Sequence, residues 1–321
     1  MQKKIKKYMG KKIRKIILTE RQFSELMLFE SKHFPMFLKP LMLDVSEFTK
    51  KCVNNSIKNN IVSNDYYFQP SKCDYTNLII LKITLKESEN VSLSDFESMY
   101  HSAYINPINE KFDYTTITLT VPYNKEKKFI SPFIDVCIFH EIEHMYDDWM
   151  RQINGGYSSV EDVLEKNVLE LYELIETKYK DNKFLMAIAN IAYLSIKDEE
   201  KAFLTQSYAD LQNVKCNRFN YKEKIKETIS FKQYNNVLKN CIPTIKSCSD
   251  EDLLLLNNII QNYETINIPK NKKNYSLYRN SLIKWGEHTA HTFIKKFGGV
   301  LAQYLEDNDI IKINKISNEN K

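Results

Sequence analysis

The chain has 321 residues, 43% of them apolar and 27% charged, which suits a soluble globular protein of one large or two modest domains. Six glycines and eight prolines exclude a collagen-like chain and argue against a long flexible linker; no segment reads as a transmembrane helix. The formal charge is +5, yet Lys3, Lys4, Lys6, Lys7, Lys11, Lys12, Arg14 and Lys15 carry eight positives in the first 15 residues, so the remainder is slightly acidic.

Residues 1–17 form a basic tail that reads as solvated and partly helical. It is able to touch nucleic acid or an anionic surface. It lacks a long apolar run and a small-residue cleavage site, so it is a poor secretory signal. Residues 18–125 read as an α/β part. Helical stretches surround TERQFSELMLFESKHF (19–34), followed by the mixed segment PMFLKPLMLDV. Residues 76–86 read as a strand, an apolar run followed by alternation. Residues 92–105 begin with a cap-like Ser92 and read as a short helix. INPINEKFDY turns the chain, and TTITLTVPY (115–123) alternates cleanly as a strand. Pro122 there suits a strand end or edge.

Residues 126–311 read as a helical body. Ser131 is placed to cap a helix and Pro132 fits its first turn. The following FIDVCIFHEIEHMYDDWMRQ has no breaker before Gly155-Gly156, and its first half is apolar on nearly every face, as in a core helix. Helices are expected over 160–179, 183–194, 198–212, 222–238, 249–262 and 276–297. Gly298-Gly299 should interrupt the last region, and 312–321 reads as a polar, disordered end. The six cysteines are scattered without a close pair, so a reducing, cytoplasmic setting is the default expectation.

The chemistry concentrates in His140-Glu141-Ile142-Glu143-His144. Residues four apart on a helix share a face. His140 and His144 can therefore each offer an imidazole nitrogen to one zinc ion, with Glu141 beside them as general base for a water. Burying Glu141 and Glu143 without a cation or donors would be costly. Two histidines do not complete a site. Asp147 and Met150 stand where a metzincin extension would have its glycine and third histidine, so the third ligand comes from elsewhere. Glu199, at the start of an amphipathic helix, is the favoured ligand, with Ala202 letting two helices approach. Glu200 points about 100° away around the helix. Glu161, Glu165 and Glu170 remain alternatives should the helix after Gly156 fold straight back.

HEIEH followed by a helical insert and Glu199-Glu200-Lys201-Ala202 resembles the gluzincin class of zincin metallopeptidases over about residues 115–211. The resemblance implies an α+β, zincin-like fold in which an edge strand lies beside a buried HExxH helix and seats an extended substrate peptide. TTITLTVPY is the candidate for that strand. It further implies that His140, His144 and Glu199 bind zinc and that Glu141 is the general base of peptide hydrolysis. An oxyanion donor is also needed; Tyr208, His291 and His288 are candidates. Asp147 or Asp148 could orient a ligand histidine, Glu143 faces away toward a neighbouring helix, and Tyr146 and Trp149 read as packing. His33 and His101 have no motif around them. A zincin-fold interaction protein without turnover, and a nucleic-acid-associated protein using residues 1–15, are the competing readings; no zinc finger, recognition helix or RNA-binding signature supports the latter.

Overall fold

The structure, a computed structural model, describes residues 34–319 except 72, 90–95, 102–103, 125, 127, 155–159, 264 and 271–273, with the backbone alone for 160–162 and 309–319. The basic tail, His33, nearly all of the expected helical stretch at 19–34, and Gly155-Gly156 lie outside the described residues. Helix α1 covers Lys39–Lys58, including much of the segment read as mixed. Its prolyl residue sits in the first turn, where no N–H is needed. Met42, Val45, Thr49, Cys52 and Val53 recur at helical spacing and are buried.

Four strands form one sheet in the order β1-β2-β6-β3: β1 Ser63–Phe68, β2 Ile79–Glu87, β3 Glu97–His101 and β6 Thr115–Tyr123. β2 and β6 are parallel, while β1 and β3 run antiparallel to their neighbours. A small ribbon, β4 Ile105–Asn106 and β5 Lys111–Phe112, links β3 to β6. Ile79, Leu81 and Ile83 of β2 and Ile117, Leu119 and Val121 of β6 alternate into the core, as a one-sided period of two requires.

Two expectations change here. The segment read as a short helix contains β3 instead: tertiary pairing with β6 overrides a weak local preference, and Ser98 and Tyr100 face partners on a neighbouring helix. Among the described residues β1 and β3 are consequently the edge strands, β3 being the one that packs on α2, and β6 lies inside the sheet. Pro122 is tolerated in β6 because β3 pairs no further along it than Thr120.

The helices follow as α2 Ser131–Ile153, α3 Val160–Lys178, α4 Lys183–Leu194, α5 Lys197–Asn213, α6 Tyr221–Lys224, α7 Ile229–Asn236, a π segment Val237–Cys241, α8 Ile242–Lys246, α9 Asp250–Ile260 and α10 Tyr275–Glu319. Ser131 does not cap α2; Ile130 is the N-cap and no side chain caps it. The single helix expected over 222–238 is broken, because the buried carboxylate of Asp210 accepts bonds from the N–H groups of Ile229 and Ser230 and starts α7 there. α10 passes through Gly298-Gly299 and continues over 312–319. Burial of Phe293, Phe297, Val300 and Leu301 outweighs the helix penalty of about 1 kcal/mol per glycine.

The architecture is α+β, with the small sheet and α1 packed on α2 and the helical body beyond. One apolar core runs from Phe34 to Leu305 and joins both parts, so residues 125–126 mark a change of secondary structure within it. All six cysteines are unpaired. Among the described residues no helix is long and apolar enough to cross a membrane.

Candidate metal centre

The site is built on α2 and α5. α2 buries polar groups as well as apolar ones: His140, Glu141, Glu143, Asp147 and Asp148 are all buried. A buried carboxylate is costly unless donors meet it, and each of these has one. Ser98 Oγ donates to Glu141 Oε1 at 2.5 Å, and Thr205 Oγ1 donates to Glu143 Oε2 at 2.9 Å. Lys201 Nζ donates to both Asp147 oxygens at 3.0 Å. Tyr100 donates to Asp148 at 2.7 Å, and Gln152 reaches it at 3.2 Å. Because Lys201 meets Asp147 while Thr205 meets Glu143, α5 runs antiparallel to α2. Burial, reinforced by the charge of Asp147, pushes the Glu143 carboxyl up to about 7.

Only two residues, Ser195 and Ile196, separate α4 from α5. Asp198, Glu199 and Glu200 occupy its first turn, where the helix dipole favours negative charge. The three acids then diverge. Asp198 pairs with Arg151 at 2.5 Å, and Glu200 pairs with Lys296 of α10. Glu199 turns inward between the two histidines. His140 Nε2 and His144 Nε2 are 3.1 Å apart. The Glu199 oxygens lie 3.4 Å from the first and 3.5 Å from the second. One donor atom from each of the three residues falls within 4.8 Å of the others.

This grouping can hold a metal ion. Atoms bonded at zinc-like lengths around a tetrahedron sit about 3.3–3.4 Å apart, close to the spacings here. Glu199 Oε2 and His140 Nδ1 are buried without a hydrogen-bond partner, and a buried anionic oxygen in that state calls for a cation. Burial pushes the Glu199 carboxyl up, but the neighbouring His140 imidazole, together with that of His144, outweighs this and holds it low. Burial correspondingly pulls His140 down, and Glu199 and Glu141 more than restore it.

No known family, curated protein or solved structure matches this chain. Function must therefore be read from the residues.

The structure brings together His140, His144 and Glu199, with Glu141 buried beside them on the same helix. It does not bring Tyr208 or His291 to them. Tyr208 lies nine residues beyond Glu199 on α5, about 13 Å along the axis. Its hydroxyl accepts from Lys39 at 2.6 Å and donates to Asp307, and its ring stacks on Phe34. His288 and His291 are exposed on α10. Glu165 and Glu170, the other candidate ligands, face Arg151 and Lys166; the Glu161 side chain lies outside the described residues. His101 bonds Thr118 at 2.8 Å. Tyr146 and Trp149 pack with Tyr75, and Trp149 donates to the Glu110 carbonyl.

Three neighbours escaped the sequence reading. Ser98 was hidden because its segment reads as helix; as a strand, Ser98 and Tyr100 share one face. Tyr193, in the last turn of α4, lies near enough to Glu199 to help hold its carboxyl low. No spacing rule connects residues across a helix–helix link. Gln206 stands two turns past Glu199 on the same face of α5 and favours the charged form of His140. That spacing was legible.

Proposed function

We propose that the protein is a zinc-dependent metallopeptidase in which His140, His144 and Glu199 hold the ion and Glu141 is the general base. The observation that carries this reading is the convergence of two imidazole nitrogens and one buried carboxylate on a single point, with a second carboxylate adjacent in sequence to the first imidazole. Two histidines and a glutamate are a donor set used at catalytic zinc sites. When bound, zinc supplies a Lewis acid that polarises a carbonyl and lowers the pKa of a water.

The chain's own residues do the rest. Glu141 takes a proton from the attacking water and returns it to the departing amine. The Asp147–Lys201 and Glu143–Thr205 contacts join α5 to α2, and the Asp147–Lys201 ion pair, close to the donors, helps to keep their mutual positions. β3 terminates the sheet among the described residues. Its outer edge offers main-chain groups to an extended peptide, and its Ser98 and Tyr100 lie against α2. An extended peptide or protein segment is therefore the proposed substrate.

The test is metal analysis of the purified chain together with peptide hydrolysis by wild type and Glu141→Gln. About one zinc per chain is expected in both, with hydrolysis about 10²–10⁴-fold slower in the variant. Equal rates in the two proteins, or a zinc-loaded wild type that cleaves no peptide in a mixed library, would sink the proposal.

A further inference from the structure

We infer that Ser98 is a positioning residue for the general base, tying Glu141 to the strand that receives the substrate; this rests on the peptidase reading above. Glu141 is only 3% exposed. Among the described residues, the one side chain that hydrogen-bonds it is Ser98, at 2.5 Å to Oε1.

A free glutamate carboxylate rotates and presents either oxygen. With Oε1 engaged by the Ser98 hydroxyl, the plane of the group is set and Oε2 is the oxygen left to accept a proton. A bond from a hydroxyl to an ionised oxygen is short and strong, as this one is.

The location of Ser98 matters as much as its bond. It sits in β3, opposite Leu119 of β6. Two residues on, Tyr100 makes a second tether from the same strand face to Asp148 of α2. β3 is thus pinned to the helix at two points. A peptide added to β3 takes its register from that strand, and the base takes its orientation from the same strand. The distance between the scissile carbonyl and Oε2 is then fixed by one rigid unit, which is what efficient proton transfer needs. Ser98 itself is neither a metal donor nor a group that reacts.

The bland alternative is that Ser98 only satisfies a buried carboxylate. That role would change stability and leave turnover per folded molecule unaltered. The deciding experiment uses the full zinc-loaded chain with Ser98→Ala and Ser98→Thr. Ser98→Ala should lower kcat by about tenfold or more, with KM and zinc stoichiometry unchanged. Ser98→Thr, which keeps the hydroxyl on a strand-favouring residue, should restore most of the rate. In a Glu141→Gln background Ser98→Ala should cause no further loss, because the two act as a unit. Should Ser98→Ala not fold, Ser98→Cys keeps the volume with only a weak donor and carries the same expectation. Wild-type kcat in a Ser98→Ala protein, whatever its melting temperature, overturns the inference while leaving the peptidase reading intact. A zinc-loaded wild type without hydrolysis removes that reading, and the role of Ser98 with it.

Discussion

Two histidine pairs sit at helical spacing in this chain, and their fates differ. His140 and His144 lie on α2, close together under α5, with Glu199 between their ring nitrogens. His288 and His291 lie on α10, both exposed, with no carboxylate or thiol grouped around them among the described residues. Shared helical spacing therefore brings imidazoles together without making a site. The third donor and the exclusion of water decide, and both come from a second helix packed on the first.

The largest expected effect breaks the first pair. His140→Ala or Glu199→Ala should abolish stoichiometric metal binding, whereas His288→Ala with His291→Ala should leave it intact. Metal content after dialysis reads the difference. Loss of a core ligand from a three-donor site costs far more than the roughly 10–100-fold seen for outer partners. Retention of metal in Glu199→Ala would move the third donor elsewhere, and loss in the α10 variant would erase the contrast.

The comparison sharpens further along α5, where Asp210 carries a buried charge that serves the fold instead of the metal. Burial raises its carboxyl to about 6 from 3.8, against hydrogen bonds from Ser230 and Ile229 that lower it. Its folded value lies above the unfolded one, so the folded state holds the proton longer. This group's contribution to stability is full below about pH 4 and falls as pH rises toward 6, by at most about 3 kcal/mol. Asp210→Asn keeps an acceptor for the same donors and should lose that slope. Denaturant unfolding of both proteins at several pH values checks it: the variant should gain on wild type between pH 4 and 7, and a constant difference would contradict the expectation.

A smaller effect is expected between the two helices themselves. Thr205→Val removes the hydroxyl that meets Glu143 and keeps the shape. It should destabilise the protein by about 1–3 kcal/mol, read as a lower denaturation midpoint, without lowering metal stoichiometry. Coupled loss of metal would show that this contact also sets the donors.

The HExxH face was legible because helix periodicity is local: once 131–153 is helical, His140 and His144 must align. Glu199 was legible as a carboxylate at a helix start, and its separation from Glu200 follows from the angle between successive residues. β3 was not legible, because five residues with alternating exposure, Glu97 to His101, carry too little pattern to outbid a serine that looks like a cap. Tyr208 was misread for a related reason. It shares the ligand helix, yet sequence gives no view of Lys39 and Asp307, which claim its hydroxyl from opposite ends of the chain.

By itself, the sequence determined most of the helical body and the paired imidazoles, since these follow from residue type and short-range spacing, and it put Glu199 first among several acids that the packing had to choose between. Only the tertiary structure decided that β3 lies at a sheet edge against α2, that Ser98 holds Glu141, that Lys201 pairs with the Asp147 carboxylate and that the Thr205 hydroxyl donates to Glu143. Those outcomes depend on contacts between residues tens of positions apart, and their energy comes from burial and hydrogen bonding that exist only after the chain has packed.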